Sequence, residues 1–355
     1  MIRRCTSVAV LWLGLLHPLS AAETAPATKP IRDAVTKALP LIRKGGAGHM
    51  EHRTCFACHN QAIPILALTT ARSRDVPVEE GEIQKHLRFI ADFLDGNREN
   101  YLKGLGQGGQ VDTAGYALWT LEMGGWKPDE ITSAVTEYLL LRNKDVDHWR
   151  VTSNRPPSEA SRLTVNYLAV RGLQTFGTTG QKKRIEERLG KVRGWLAKTA
   201  AKDTEDRVFR LWALQRLGAD SGTVRTAARE LIDTQRPDGG WAQTDTLDAD
   251  AYATGTALVA LHEAAGLATS DPIYQRGVKH LLATQREDGT WYVRSRSKPF
   301  QTYFESGFPY GKDQFISLAA SSWATTALAL ALPPRERSAG PIEKGTRGPI
   351  ASTGR

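Results

Sequence analysis

The segment Leu231-Ile-Asp-Thr-Gln-Arg-Pro-Asp-Gly-Gly-Trp241 recurs 50 residues later as Leu281-Leu-Ala-Thr-Gln-Arg-Glu-Asp-Gly-Thr-Trp291. Each copy follows a stretch with helical periodicity, turns at an Asp-Gly pair, and precedes a second stretch rich in Ala, Leu and Thr. Glycine-containing turns of this kind commonly mark the end of a helix. The segment therefore predicts a repeated helix-turn-helix unit, and a repeat of roughly 20 to 50 residues is typical of helical arrays.

The same unit can be followed along most of the chain. Six apolar stretches rich in small residues are candidates for inner helices: Ile63–Arg72, Thr113–Met123, Ala160–Phe176, Asp206–Leu217, Tyr252–Ala264 and Leu318–Leu332. Each follows a more polar, amphipathic stretch that is a candidate for an outer helix: Ile31–Arg43, Gly81–Leu94, Asp129–Leu141, Gln181–Lys198, Val224–Thr234 and Ile273–Ala283. Polar helices alternating with apolar ones are expected when one set faces water and the other is buried.

This alternation predicts an all-α fold, an α/α toroid of six inner and six outer helices in a single domain over residues 23–332. Gly115 and Gly255 would allow inner helices to approach closely, while Trp119, Trp212 and Trp323 would fill wider spaces. Periodicity alone leaves an open solenoid as the alternative, because stacked repeats need not close into a ring.

The two ends of the chain differ from the repeats in composition. Arg3 and Arg4 precede an apolar run at 8–16, and Ser20-Ala21-Ala22 fits a small-residue cleavage site, so residues 1–22 are predicted to be a signal peptide. Residues 333–355 are rich in Pro, Gly, Ser and charge, which predicts a disordered tail. We therefore expect a periplasmic or otherwise exported protein without a transmembrane segment after cleavage.

The charge of the chain argues against nucleic acid as a partner. Without Arg3 and Arg4, 45 basic residues stand against 38 acidic ones, a net charge of +7. Part of this excess lies in the C-terminal tail, which holds five basic and two acidic residues. Nucleic-acid-binding proteins usually carry a dense basic stripe, which this sequence lacks.

The segment Cys55-Phe-Ala-Cys58-His59 is the attachment signature of haem c, in which two thiols bind the porphyrin covalently and the histidine ligates the iron. After signal cleavage these are the only two cysteines, so no disulfide framework competes for them. A redox-active Cys pair and a zinc site completed by His49 or His52 remain alternatives. The sixth iron ligand stays open, because Met50 lies too close to Cys55 to reach the opposite haem face easily.

The motif leads directly into the first inner helix, so we expect it at the rim of the barrel where inner helices begin. Asp112, Glu159, Asp206 and Asp250 are expected at the same rim. The longest insertion, residues 292–317, is predicted to cover part of the molecule because it is unusually aromatic; it contains Phe300, Tyr303, Phe304, Phe308 and Tyr310.

Gln235–Trp241 and Gln285–Trp291 resemble the Gln-Trp motif of the squalene-hopene cyclase and prenyltransferase repeat superfamily, and the resemblance is strongest over residues 224–332. It implies a terpenoid cyclase-like α/α toroid in which these glutamines and tryptophans brace the outer helices. The bacterial cyclases protonate their substrate from an Asp-x-Asp-Asp-Thr motif, and here only Asp248 and Asp250 could match it. Both are also well placed as helix caps.

Three hypotheses of function follow. The leading one is a haem-c-bearing toroid that acts in electron transfer to a periplasmic redox partner, or in redox-linked binding of an apolar or isoprenoid-like ligand. The second is a terpenoid cyclase or lyase using Asp248 and Asp250 as acids. The third is a structural or partner-binding repeat protein without catalysis.

Overall fold

The computed structural model describes residues 28–299 and 301–335. The predicted signal peptide at 1–22, Phe300 and most of the predicted tail lie outside the described residues. No helix in the described part of the chain combines the length and the apolar character needed to cross a membrane.

Thirteen α-helices account for most of the described chain, and they fall in the predicted alternation. In chain order they are α1 (Thr28–His52), α2 (Ile63–Arg72), α3 (Glu80–Asp95), α4 (Arg98–Leu102), α5 (Gln110–Met123), α6 (Glu130–Leu141), α7 (Arg162–Phe176), α8 (Lys182–Leu196), α9 (Thr204–Arg216), α10 (Ser221–Ile232), α11 (Ala251–Ala265), α12 (Pro272–Thr284) and α13 (Gln314–Leu330). Shorter elements are a π-helix (Cys58–Ala62), two 3-10 turns (Thr179–Gln181 and Gly311–Asp313) and the antiparallel strands β1 (Trp241–Ala242) and β2 (Ala249–Asp250).

Six of these helices form a closed inner ring, in the order α2, α5, α7, α9, α11 and α13. Each packs against the next, and α13 packs against both α11 and α2. The remaining long helices, α1, α3, α6, α8, α10 and α12, lie outside this ring, and α12 contacts α1. The predicted toroid is therefore confirmed, and the open solenoid is excluded.

The Gln-Trp repeats connect neighbouring outer helices. Gln235 Nε2 donates to Gly239 O and to Ile273 O, the latter at the start of α12, both at 2.9 Å. Gln285 Nε2 makes the matching pair of bonds to Gly289 O and to Ala34 O of α1, also at 2.9 Å. Since α1 is the first outer helix and α12 the last, the second repeat fastens the ring where it closes.

Helix α1 is longer than the sequence indicated, because it continues past Arg43 through three glycines to His52. A methyl group on Gly48 would lie 2.1 Å from the carbonyl oxygen of Ser306, and one on Gly45 would lie 2.8 Å from Leu318 of α13. The glycines therefore serve close packing here, and tertiary contacts outweigh their low helix propensity.

Three tryptophans from alternate inner helices meet at the axis of the barrel. The rings of Trp119 (α5), Trp212 (α9) and Trp323 (α13) lie 5.9–6.1 Å apart in all three pairs. Because these helices are not neighbours in the ring, mutual contact places the indoles in the centre. Arg171 lies over Trp119 at 5.1 Å and pairs with Glu122 at 2.6 Å. The barrel is thus filled at this level, and we call these three residues the tryptophan layer.

Candidate functional site

Cys58 and His59 open the π-helix that runs into α2, at the end of the barrel where the inner helices begin. The buried Cys58 thiol donates to Oε1 of Glu159 at 2.7 Å, and Cys58 Sγ lies 3.5 Å from His59 Nδ1. Glu159, in the segment before α7, is also buried and pairs with Arg155. One donor atom from each of Cys58, His59 and Glu159 lies within 4.8 Å of the other two. The expected neighbourhood of the motif and Glu159 is confirmed.

Burial controls the protonation of this cluster. It raises the pKa of the Cys58 thiol to about 11. It lowers the pKa of the His59 imidazole to about 3, helped by the charge of Arg155, so His59 is neutral and its ring nitrogen can act as a ligand.

Nearby, Asp112 of α5 is 2% exposed, and neither of its carboxylate oxygens has a hydrogen-bond partner among the described residues. Burial raises the pKa of Asp112 to about 7.

A second buried carboxyl lies on α9. Glu205 accepts hydrogen bonds from Thr164 Oγ1 at 3.0 Å and from the Tyr252 hydroxyl at 3.2 Å. Burial raises the pKa of Glu205 to about 8, so this carboxyl retains its proton at neutral pH. Phe209 and Trp212 follow Glu205 at positions i+4 and i+7, on the same face of the helix. The acid therefore stands one to two turns from the tryptophan layer.

The Cys-x-x-Cys-His segment fits haem c in part. Cys55 is partly exposed, and both thiols are free. The Cys55 carbonyl accepts a hydrogen bond from His49 Nε2 at 2.6 Å. Accessible Cys55 and neutral His59 suit haem attachment and iron ligation. Cys58 does not suit it in this conformation, because its thiol is buried against Glu159.

The aromatic insertion covers this segment. Phe304 stacks with His52 at 5.6 Å and packs against Phe315 at 5.4 Å, and Phe315 in turn meets the His59 ring at 5.2 Å. Arg53 lies over Phe304 at 4.4 Å. The prediction that this loop covers something is confirmed for its described residues, and what it covers is the Cys-x-x-Cys-His segment.

Asp248 and Asp250 differ from the buried acids in their surroundings. Asp248 is exposed between β1 and β2. Asp250 is the N-cap of α11 and accepts from Ala253 N and from Gln243 Nε2, both at 2.9 Å. Burial raises the pKa of Asp250 to about 6. Asp250 therefore serves as a helix cap at the rim. Asp248 is exposed and lacks the dry surroundings of a catalytic acid.

Three residues of this end of the barrel were missed by reasoning from the sequence: Arg155, Glu205 and Tyr252. The signal that could have found Glu205 is a shared spacing. Glu205, Phe209 and Trp212 repeat the i, i+4, i+7 pattern of Asp112, Tyr116 and Trp119, which places an acid at the start of two inner helices. Asp206, expected at the rim, accepts there from Ser161 Oγ at 2.6 Å.

Comparison with known proteins gave matches among solved structures alone. No protein-family model matches the chain, and no curated protein does. A variant of the type II terpene cyclase MstE from Scytonema, in complex with geranylgeranyl dihydroxybenzoate (substrate), matches with a TM-score of 0.53 at 12% identity, covering 86% of this chain and 98% of that one. Apo MstE matches with a TM-score of 0.54 at 13% identity, covering 87% and 99%.

The chain has a terpene cyclase-like fold. A protein from Actinoplanes matches equally well, with a TM-score of 0.53 at 14% identity over 83% of this chain and 99% of its own. Identities this low establish the shared toroid and leave the chemistry to be argued from the residues. Cys58, His59, Glu159 and Glu205 all lie at the end of the barrel where the inner helices begin.

Proposed function

We propose that this protein acts on an isoprenoid-like ligand by proton transfer, with Glu205 as the general acid. The observation that carries the proposal is a fully enclosed carboxyl, held by Thr164 and Tyr252, one to two turns from the tryptophan layer. MstE, which shares the fold, has been solved with a geranylgeranyl substrate and with merosterolic acid A as product. This supports the ligand class proposed here.

The proposed reaction conserves atoms. Glu205 gives its proton to an oxygen function of the ligand, the C–O bond breaks as that oxygen leaves as water or opens to a hydroxyl, and the resulting carboxylate takes a proton back from the carbocation when the product forms by elimination. Tyr252 and Thr164 stabilise the carboxylate between these steps, since both donate hydrogen bonds to it. The role that the sequence suggested for Asp248 and Asp250 passes to Glu205, which alone of the three combines full burial with two hydroxyl partners.

The test is conversion of geranylgeranyl-bearing compounds by the purified full chain, followed by mass spectrometry of the products. Glu205→Gln keeps the size and both hydroxyl contacts but cannot transfer a proton, so we expect binding to persist and turnover to fall by at least about 100-fold. Asp248→Asn is the matched control and should behave as wild type. Equal turnover in Glu205→Gln and wild type, or absence of both binding and product, would refute the proposal.

A second candidate is the exported haem-c protein, which acts in electron transfer to a periplasmic redox partner. The five-residue signature, the accessible Cys55 and the neutral His59 favour it. Haem, when bound, supplies a one-electron couple; Cys55 and Cys58 would hold it and His59 would ligate the iron. This candidate requires Cys58 to turn away from Glu159. Coexpression with a cytochrome c maturation system tests it: an α-band that stays with the denatured polypeptide supports it, and a colourless chain contradicts it.

A further inference from the structure

We infer that Cys58, His59 and Glu159 bind a divalent transition metal ion of the zinc type directly, and that the buried carboxylate of Asp112 beside them supports the ion by its charge. This inference is independent of the role proposed for Glu205. It differs from the zinc site considered from the sequence, because it excludes Cys55 and uses the carboxylate of Glu159, which lies far from the motif along the chain.

The geometry of the three donors supports a single ion. Zinc binds sulfur at about 2.3 Å and nitrogen or oxygen at about 2.0–2.2 Å, so two ligands of a tetrahedral ion stand about 3.5 Å apart. Cys58 Sγ and His59 Nδ1 already have this separation, at 3.5 Å. Cys58 Sγ and Glu159 Oε1 are closer, at 2.7 Å, because a thiol proton now joins them. A metal ion displaces that proton, and the two atoms then move apart from 2.7 Å to the separation of about 3.5 Å that the ion requires.

Asp112 provides the second, independent observation. A buried carboxylate without a hydrogen-bond partner is unfavourable, so such a group in a native protein calls for an explanation, and a nearby bound ion is one. Both oxygens of Asp112 are in this state, at 2% exposure, and its charge acts on the Cys58 thiol and on Arg155. An ion held by Cys58 would relieve Asp112 as well.

The balance of charge fits a divalent ion. The thiolate and the carboxylate of Glu159 are anionic donors, Asp112 is a third anion nearby, and the guanidinium of Arg155 pairs with Glu159. The anions exceed the guanidinium by two charges, so a divalent ion would bring the cluster to neutrality. Without an ion, protons on the buried groups limit this charge, as the thiol proton between Cys58 and Glu159 does; a divalent ion would take the place of such protons.

Direct metal binding and haem attachment exclude each other at Cys58, because a thioether sulfur no longer carries the thiolate that the ion needs. The two occupants also differ in their demand on Cys55. Haem attachment uses both cysteines of the signature, whereas the cluster described here uses Cys58 alone. A substitution at Cys55 therefore separates the two.

The experiment is titration of the chelator-treated full chain with cobalt(II), read by the thiolate-to-cobalt charge-transfer band, together with zinc competition and metal analysis of the protein as purified. We expect one ion per chain. Cys58→Ser should abolish the charge-transfer band, and Glu159→Gln should weaken binding by more than about 100-fold, beyond the effect of outer-sphere changes. Asp112→Asn should weaken it by at least about 10-fold. Cys55→Ser should bind as wild type.

Thermal unfolding of the metal-free variants, followed by circular dichroism, verifies that each one folds. If Cys58→Ser does not fold, Glu159→Gln and Asp112→Asn carry the test alone. The inference is overturned if folded wild-type protein shows no cobalt band, if Cys55→Ser loses the band as fully as Cys58→Ser, or if the purified protein carries covalent haem. None of these outcomes depends on turnover of an isoprenoid compound, so the result is separate from that for Glu205.

Discussion

Replacing Trp323 by Ala tests whether the barrel is packed at its axis. Trp323 is fully buried between Trp119 and Trp212, whose rings lie 6.1 and 5.9 Å away. Truncation of a buried Trp to Ala destabilises proteins by about 3–5 kcal/mol, and more when the walls cannot collapse. Two rigid indoles from the alternate inner helices α5 and α9 form these walls, which argues for about 4–5 kcal/mol. The indole N–H of Trp323 has no hydrogen-bond partner among the described residues, so its removal offsets about 1 kcal/mol of this loss.

The expected net loss is therefore about 3–4 kcal/mol in the free energy of unfolding, measured by urea denaturation with far-ultraviolet circular dichroism. Trp323→Phe keeps a ring and also removes the unpartnered donor, so it should lose less than about 1.5 kcal/mol. Leu105→Ala, at a side chain that is 63% exposed, is the control and should stay within about 0.5 kcal/mol of wild type. A loss below about 1 kcal/mol for Trp323→Ala would show that the axis is not closed by packed tryptophans.

Three further predictions concern the ring and its buried acid. Gln285→Leu removes both hydrogen bonds that fasten the closing pair of helices, and should lower the free energy of unfolding in urea by about 1–3 kcal/mol; no change would contradict the bracing role. Gly255→Ala would place a methyl group 2.6 Å from the backbone of α13 and should destabilise the protein by about 1–3 kcal/mol. Gly81→Ala is the control, because open space surrounds Gly81 and the added methyl group should not destabilise the protein. Equal melting temperatures for the two variants would refute close packing at Gly255. The pKa of Glu205 is about 8 in the folded protein and 4.5 in the unfolded one, so between these pH values the folded state binds more protons and its stability falls as pH rises. The stability of Glu205→Gln should fall less steeply over this range. Parallel pH profiles of melting temperature for the variant and wild type would count against a buried acid at this position.

The order of helices could be predicted from the sequence because it depends on local periodicity. The predicted and observed bounds of α2 agree, from Ile63 to Arg72, since a continuous apolar run is followed by a polar turn. The end of α1 could not be predicted, because a run of glycines normally ends a helix. Here contacts with Ser306 and Leu318, more than 250 residues away along the chain, hold it in place.

The candidate site was predictable only in part, for a similar reason. The position of Cys58 beside Glu159 followed from placing both at the starts of inner helices. The partners of Glu205 could not be read in this way, because Thr164 and Tyr252 come from the preceding and following inner helices, 41 and 47 residues away. Each of these hydrogen bonds spans one repeat of the toroid. The repeat length can be read from the sequence, but the rotation of each helix about its axis, which decides which side chains meet, cannot.

Closure of the ring has a consequence for how the protein unfolds. In an open helical array the terminal repeats have one neighbour each, so they fray first and unfolding can spread inward. Here the contact of α12 with α1 and of α13 with α2 gives every helix pair two neighbours. Loss of any one pair exposes the flanks of two others, so the six pairs depend on one another equally wherever they stand in the chain. The toroid should therefore behave as one cooperative unit, with no weak end at which unfolding begins.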